Sequence, residues 1–399
     1  MTTRFKPLVT SLLAGLLLTI SGGSMADTPL SSPLEQAAQQ NLITLPFNPE
    51  VVGFVQADDW QGLITHLVDY QVIFHGEIHN RLSDHLIQAE LLHLMHQHTS
   101  ALAVGVEWFQ APFQAWVDGY IAGRLDEGEL LQRTEYFTRW RYDWRLLQPL
   151  MQYARDHQIR VLALNAPAEL TRQIARQGLD SLSHEQRLQL PKIHPPHPDH
   201  EQRLRDFFGQ NLAEHANTDN FIHAQRTWDE TMAANAAAWL RANPNARILV
   251  IAGQFHLDYQ QAIIGDMLRH LPSLAGQTLS LANGPFEEWQ SGRFDGFLLT
   301  DELALPAHGR IGSHITPQGQ ACLREIIADS AAEWAGLQVG DCIVAFNHQP
   351  IRHFSDLMLA LYQTQPDQQV MVMLHRNHTR NQADRSDEVD VIELELTLD

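Results

Sequence analysis

The chain is poor in cysteine, in positive charge and in long apolar runs, and each shortage removes a class of function. Two cysteines in 399 residues, Cys322 and Cys342, exclude a disulfide-framed scaffold and any metal site built on thiolates alone. Twenty-seven Lys and Arg stand against 47 Asp and Glu, a formal charge of -20. That balance argues against a nucleic-acid partner, because a phosphate backbone needs a net basic face. The sequence has no Gly-x-Ser-x-Gly elbow and no nucleophilic serine or cysteine arrangement. After the first residues no apolar stretch reaches the ~20 residues of a spanning helix. The abundant residue is histidine, with 22 copies, which makes metal or haem chemistry the first class to test.

Residues 1–26 read as a secretory signal. Arg4 and Lys6 precede an apolar run from Leu8 to Ile20, and Ser24-Met25-Ala26 supplies small residues for cleavage before Asp27. The run contains no cysteine for a lipid anchor. The expectation is a soluble periplasmic or secreted protein, in which Cys322 and Cys342 are either a disulfide or two buried thiols.

Residues 27–50 form a polar, proline-interrupted lead-in. From Val51 to Leu303, short apolar runs alternate with longer amphipathic ones. The runs are "QVIFHG" (71–76), "ALAVGVEWF" (101–109), "IRVLALNAP" (159–167) and "ARILVIAGQ" (246–254). Each is too short for a helix and too continuous for a strand with one wet face. Helical periodicity covers 85–98 and 221–243. The alternation predicts an α/β domain, a mostly parallel sheet flanked by helices. The segment "LPKIHPPHPDH" (190–200) interrupts it: its prolines exclude a helix, and His194, His197 and His200 either cover a ligand or are solvated.

In open α/β sheets, ligands bind beyond the carboxyl ends of the strands. The four runs end in Glu77 and His79, in Glu107, in Asn165, and in Gln254 and His256. Two endings share the form Gly-x-x-His, "GEIH" (76–79) and "GQFH" (253–256). Two imidazoles and two carboxylates at one edge suit a divalent metal, with His79, His256, Glu77 and Glu107 as ligands, or the polar rim of a large cofactor. Taken singly, each is an ordinary turn histidine or helix-capping carboxylate. Four on one predicted edge predict a cleft.

The blocks "GEIHNRLSDH" (76–85), "VGVEWF" (104–109), "LNAP" (164–167), "AQRTWDETMA" (224–233) and "AGQFH" (252–256) resemble the ChaN-type haem-binding family. Its superfamily also holds Tiki metalloproteases, TraB-type proteins and erythromycin esterases. The resemblance implies an α/β fold and a haem- or iron-uptake role. By motif match it carries over Glu77, His79 and His85, then Glu107, Asn165, Asp229 and His256. ChaN-type sequences tend to carry a tyrosine where "RYDWRLLQPL" (141–150) has Leu147; Tyr142, Tyr136 or one of the many histidines could substitute, and nothing in the sequence selects among them. The Tiki branch implies the alternative, a metal-dependent hydrolase in which the metal activates water and Glu77 or Glu107 acts as base.

From Ala304 to Asp399 the composition changes. "SAAEWAGLQVGDCIVAFNHQPI" (330–351) resembles the PDZ domains of bacterial proteases. That implies a small β-rich module that binds an extended peptide or a free C-terminus by strand addition, with its carboxylate loop near "GRIGSHI" (309–315). Ser313 stands where an apolar residue is usual. The expected partners are haem or a metal ligand, a peptide C-terminus, and a second copy of the chain.

Overall fold

A computed structural model describes residues 32–40, 42–45, 47–211, 217–377 and 389–399; the signal-like segment 1–26 lies outside the described residues. Seven strands form the main sheet: β1 (Val51–Val52), β2 (Val72–Glu77), β3 (Leu102–Gln110), β4 (Arg160–Asn165), β5 (Arg247–Gly253), β6 (Thr278–Gly284) and β7 (Gly296–Leu299). Their order is β1-β7-β6-β2-β5-β3-β4. All neighbours are parallel except the edge pair β1–β7.

The four strands read from the sequence are present, and their continuous apolar character has the expected cause. Ile73, Val104, Leu249 and Leu281 enter the core on one face of the sheet, and Phe74, Ala103, Val250 and Ala282 enter the core on the other. The sheet is therefore covered on both sides, so little polar alternation survives. Strands β6 and β7 complete it.

Two expectations change. The lead-in is not wholly irregular: Ser32 and Glu35 form a capping box at the start of helix Pro33–Gln39. Leu34 and Ala37 of that helix are buried in the main core. Within 190–200, the chain becomes helical at Pro198, which opens helix Pro198–Asn211. A proline is tolerated in the first turn, where its missing N–H has no partner to lose.

The C-terminal module is an antiparallel sheet of β8 (Ser313–Ile315), β9 (Ala321–Ile326), β10 (Cys342–Phe346), β12 (Gln369–Asn377) and β13 (Val389–Thr397). Its order is β13-β12-β10-β9-β8, with β11 (Gln349–Pro350) paired to β10. It has its own core around Leu323, Ile343, Phe346, Leu357 and Leu374. Of the two states open for the cysteines, the structure has the bridge: Cys322 and Cys342 face each other across β9–β10 and are disulfide-linked. The bridge closes a loop with a sequence separation of 20, worth about 3 kcal/mol by restriction of the unfolded chain. Reduction is expected to lower the module's urea midpoint accordingly; an unchanged midpoint would mean that the bridge adds no constraint.

Candidate functional site

The sheet order explains why the strand endings converge. Strands β2, β5, β3 and β4 are consecutive neighbours and all parallel, so Glu77, the 254–256 turn, Glu107 and Asn165 emerge side by side. Between β3 and β4 the register slips: Val106 opposes Ala163, but Gln110 opposes Asn165. The extra residues on β3 make a bulge that carries Glu107 and Trp108, and bulges re-aim side chains in this way.

Glu77 is buried at the end of β2. Its Oε1 accepts from His79 Nδ1 at 2.8 Å and Trp108 Nε1 at 3.2 Å, and Oε2 accepts from Gln88 Nε2 at 2.8 Å. Burial opposes its charge, but His85, His79 and Gln88 outweigh burial and hold the carboxyl at about 2. His85 lies behind the cleft, with Nε2 against the His79 carbonyl at 3.1 Å. Its role is support.

His79 is the partly exposed member, with 27% of its side chain accessible. Burial lowers its pKa, but the bond to Glu77 and the charge of Glu107 prevail and raise it. Because an ionised carboxylate only accepts, Nδ1 carries the proton toward Glu77. Nε2 makes no hydrogen bond to the described residues. The ring sits edge-on to Trp140 at 4.8 Å and beside Tyr142 at 5.1 Å.

His256 differs. Its Nδ1 meets Asp229 Oδ1 at 2.5 Å and its Nε2 lies 3.3 Å from Glu107 Oε1, so both nitrogens are engaged. Burial lowers the pKa, yet Glu107 and Asp229 raise it to about 10. Glu107 is held below its ordinary range against burial, by His256, His79 and the Gly253 N–H, which donates at 2.8 Å. Asp229 is fully buried on helix Thr218–Ala242 and is also depressed, with His200, His256 and Arg226 overcoming its burial. Asn165 is occupied locally, donating to the Glu107 carbonyl at 3.0 Å and accepting from Ala166 N–H at 2.8 Å.

The cleft has two lobes that share His79, Tyr142 and His256. One, of about 350 Å³, is walled by Trp108, Trp140 and Trp228, with Arg139 and Arg172 also in its lining. The other, of about 320 Å³, lies toward Gln225, Phe255 and Arg293. Together they fall in the size range of cofactor sites. Hollows of similar volume occur beneath residues 42–45 and at 193–226, and neither lies at the carboxyl ends of strands β2, β5, β3 and β4.

A family model described as "Haem-binding uptake, Tiki superfamily, ChaN" matches residues 63–266, which contain the cleft's carboxylates, imidazoles, tyrosine and tryptophans but not Arg293. The chain belongs to the ChaN haem-binding family. A solved structure titled "Cofacial heme binding to ChaN of Campylobacter jejuni" has the same fold at 14% identity, TM-score 0.50, covering 63% of this chain and 97% of that one. A PDZ model matches residues 309–385. The serine endoprotease from Yersinia pestis is 26% identical over 23% of this chain and 28% of its own, TM-score 0.18. Protein RETICULATA-RELATED 5 of Arabidopsis thaliana is 23% identical over 35% of this chain, which spans only 19% of that relative's length.

Within this ChaN-type domain, the structure brings Glu77, His79, Glu107, His256 and Tyr142 to one cleft, with Asn165 in its lining and Asp229 and His85 behind it. Leu147 is fully buried in the core and Tyr136 donates its hydroxyl to the Tyr142 carbonyl at 3.0 Å. Of the two substitute tyrosines, Tyr142 alone lines the cleft. Its phenol is raised by burial and by the charges of Glu107 and Glu77.

The divalent-metal expectation finds no support in geometry. Among the described residues no group of three or more His, Cys, Asp or Glu is arranged to hold a metal ion. The carboxylates are already paired with histidines and amides. His194, His197 and His200 do not cluster either: His194 pairs with Glu230 at 2.8 Å, while His200 lies 3.7 Å from Asp229. Sequence reasoning missed Gln88, Gln225 and the tryptophan walls. Gln88 lies three residues after His85 and Gln225 four before Asp229, each on the same helix face, so helical spacing was a usable signal. Trp140 had none.

Proposed function

We propose that the protein binds haem in this cleft, with His79 Nε2 as the protein's donor to iron, and that the C-terminal module binds a peptide carboxylate. One observation carries the first part. Among the two cleft histidines, only His79 keeps a ring nitrogen without an internal partner, while Glu77 fixes its other nitrogen. A carboxylate behind a ligating imidazole orients it and raises its basicity. The tryptophan and tyrosine walls suit a flat apolar ring, and exposed Arg172 suits its acidic edge. The residues therefore fit haem. When bound, haem would supply the iron chemistry. The chain's own part is to hold the His79 tautomer, to wall the ring and to keep Glu77 and Glu107 ionised. A broad open cleft leaves one face of a flat ligand wet, so a homodimer belongs to the same proposal. Haemin added to the full chain is expected to give a Soret band that saturates; absence of a saturable band would refute the reading.

The peptide part is supported by the loop at 309–315. Gly312 has φ 77, and among the described residues the amides of Ile311 and Gly312 donate no hydrogen bond. Two adjacent free amides at a left-handed glycine suit a carboxylate. Ser313 turns away, donating its hydroxyl to the Glu325 carbonyl at 2.6 Å. A fragment beginning at Ala304 is expected to fold on its own core and to prefer free-acid over amidated peptides. Equal binding of the two forms would exclude carboxylate capture.

The proposal places the mature chain, beginning at Asp27, outside the cytoplasm. The Cys322–Cys342 bridge supports an oxidising compartment, and no helix among the described residues is long and apolar enough to cross a membrane. N-terminal sequencing of the exported protein tests the site of cleavage.

A further inference from the structure

Helix Phe354–Leu361 of the PDZ module is docked on the ChaN-type domain. Phe354 meets Phe137 edge-to-face at 5.4 Å, and Ser355 Oγ donates to Gln132 Oε1 at 3.5 Å. Arg352 bridges Asp126 at 2.8 Å and Asp356 at 2.9 Å. Leu359 and Tyr362 pack against the α/β core rather than their own. The fit is close at Gly128, where a Cβ would lie against Asp356 Oδ1 and His353 Cε1.

The surface that receives this helix is also a wall of the cleft. Residues 135–142 run through the short helix Tyr136–Arg139 and lie outside the sheet. On one side Phe137 touches Phe354; on the other, Arg139, Trp140 and Tyr142 line the cleft. The segment holds two non-glycine residues in left-handed backbone, Glu135 at φ 53 and Arg141 at φ 72. Such conformations persist only where surrounding contacts hold them. The inward contacts include Tyr136 with the Tyr142 carbonyl, Phe109 and Trp144, and Arg139 with Gln110, while at the surface Arg139 also pairs with Glu135 and Glu169. The outward aromatic contact comes from the PDZ helix.

We propose that Phe354, packed edge-to-face on Phe137, is a positioning residue for the cleft, so that the PDZ module sets the cleft's ligand affinity through segment 135–142. A peptide added beside helix Phe354–Leu361 would then bias the same contact, making the module's ligand an effector of the cleft. The ligand named here rests on the haem reading, but the contact itself does not.

The test uses the full chain with Gly128→Trp, which wedges the docked helix, with Phe354→Ala, and with Phe354→Leu as the conservative replacement. Two quantities are read: haemin affinity from the Soret titration, and hydrogen exchange of amides 136–142 in protein without haem. Coupling free energies between sites correspond to about 5–150-fold in affinity. The wedge and Phe354→Ala are expected to weaken haemin at least about 5-fold and to speed exchange in 136–142, with Phe354→Leu restoring both. Folded variants with unchanged exchange and affinity would overturn the proposal. If Gly128→Trp does not fold, Arg352→Glu, which repels Asp126 at the exposed rim, replaces it under the same criteria. Should wild type bind no haemin, the haem reading falls, and exchange alone decides whether docking holds the segment.

Discussion

His79→Ala is expected to weaken haemin binding by about 100-fold or more while leaving the domain folded. The ring is partly exposed and packs on Trp140 and Tyr142 at the cleft surface, so its removal leaves no buried cavity. What it removes is the unbonded cleft nitrogen. Glu77→Gln keeps that imidazole but replaces an anionic acceptor with an amide, so the basicity of Nε2 falls. Losing such an outer partner costs metal centres roughly 10–100-fold, and Glu77→Gln should lie in that range. Tyr142→Phe should change affinity less than either, because its phenol is pushed up by burial and by neighbouring carboxylates and resists becoming a phenolate ligand. Titration of the four proteins with haemin, read at the Soret band, checks the order. A Tyr142→Phe variant that loses binding while His79→Ala retains it would move the donor to the phenol.

Asp229→Ala is expected to cost about 3–5 kcal/mol of stability, the usual consequence of stripping one partner from a buried ion pair. Asp229 faces His256, Arg226 and His200 with no exposure, so its loss removes one buried anion, leaving His256 to Glu107 and Arg226 to Glu230 and Asp266. Urea denaturation measures this, and a change below about 1 kcal/mol would contradict the pairing.

The same groups fix a pH window. His256 is raised from 6.5 to about 10, so its contribution is complete below 6.5 and is lost as pH rises through about 10. Glu77 is lowered from 4.5 to about 2, so its contribution is complete above 4.5 and is lost as pH falls through about 2. Both are fully present between 4.5 and 6.5. Asp229→Ala should flatten the alkaline loss, since His256 would then keep only Glu107 as an anionic partner.

His256 shows what a position in the sequence does not record. Taken singly, a histidine just past a strand is an ordinary turn residue. In the fold it is 7% exposed with both nitrogens ion-paired. The two Gly-x-x-His endings look equivalent in sequence and differ in burial, because helix Thr218–Ala242 supplies Asp229 and Gln225 behind His256 alone. The paired carboxylates and imidazoles that suggested metal ligands are, for the same reason, largely consumed by one another.

Taken alone, the sequence determined the parallel α/β class, four of the sheet's seven strands, the polar residues at their ends and the β-rich terminal module. Local hydrophobic period and turn chemistry encode those features, and they operate over a few neighbouring residues. Only tertiary structure decided that β5 inserts between β2 and β3, which sets the His256 turn between the strand ends that carry Glu77 and Glu107. It also decided which imidazole nitrogen stays unbonded, and that the PDZ helix closes against Gly128 and Phe137. Strand order and domain docking depend on contacts between residues more than a hundred positions apart, and no local spacing records them.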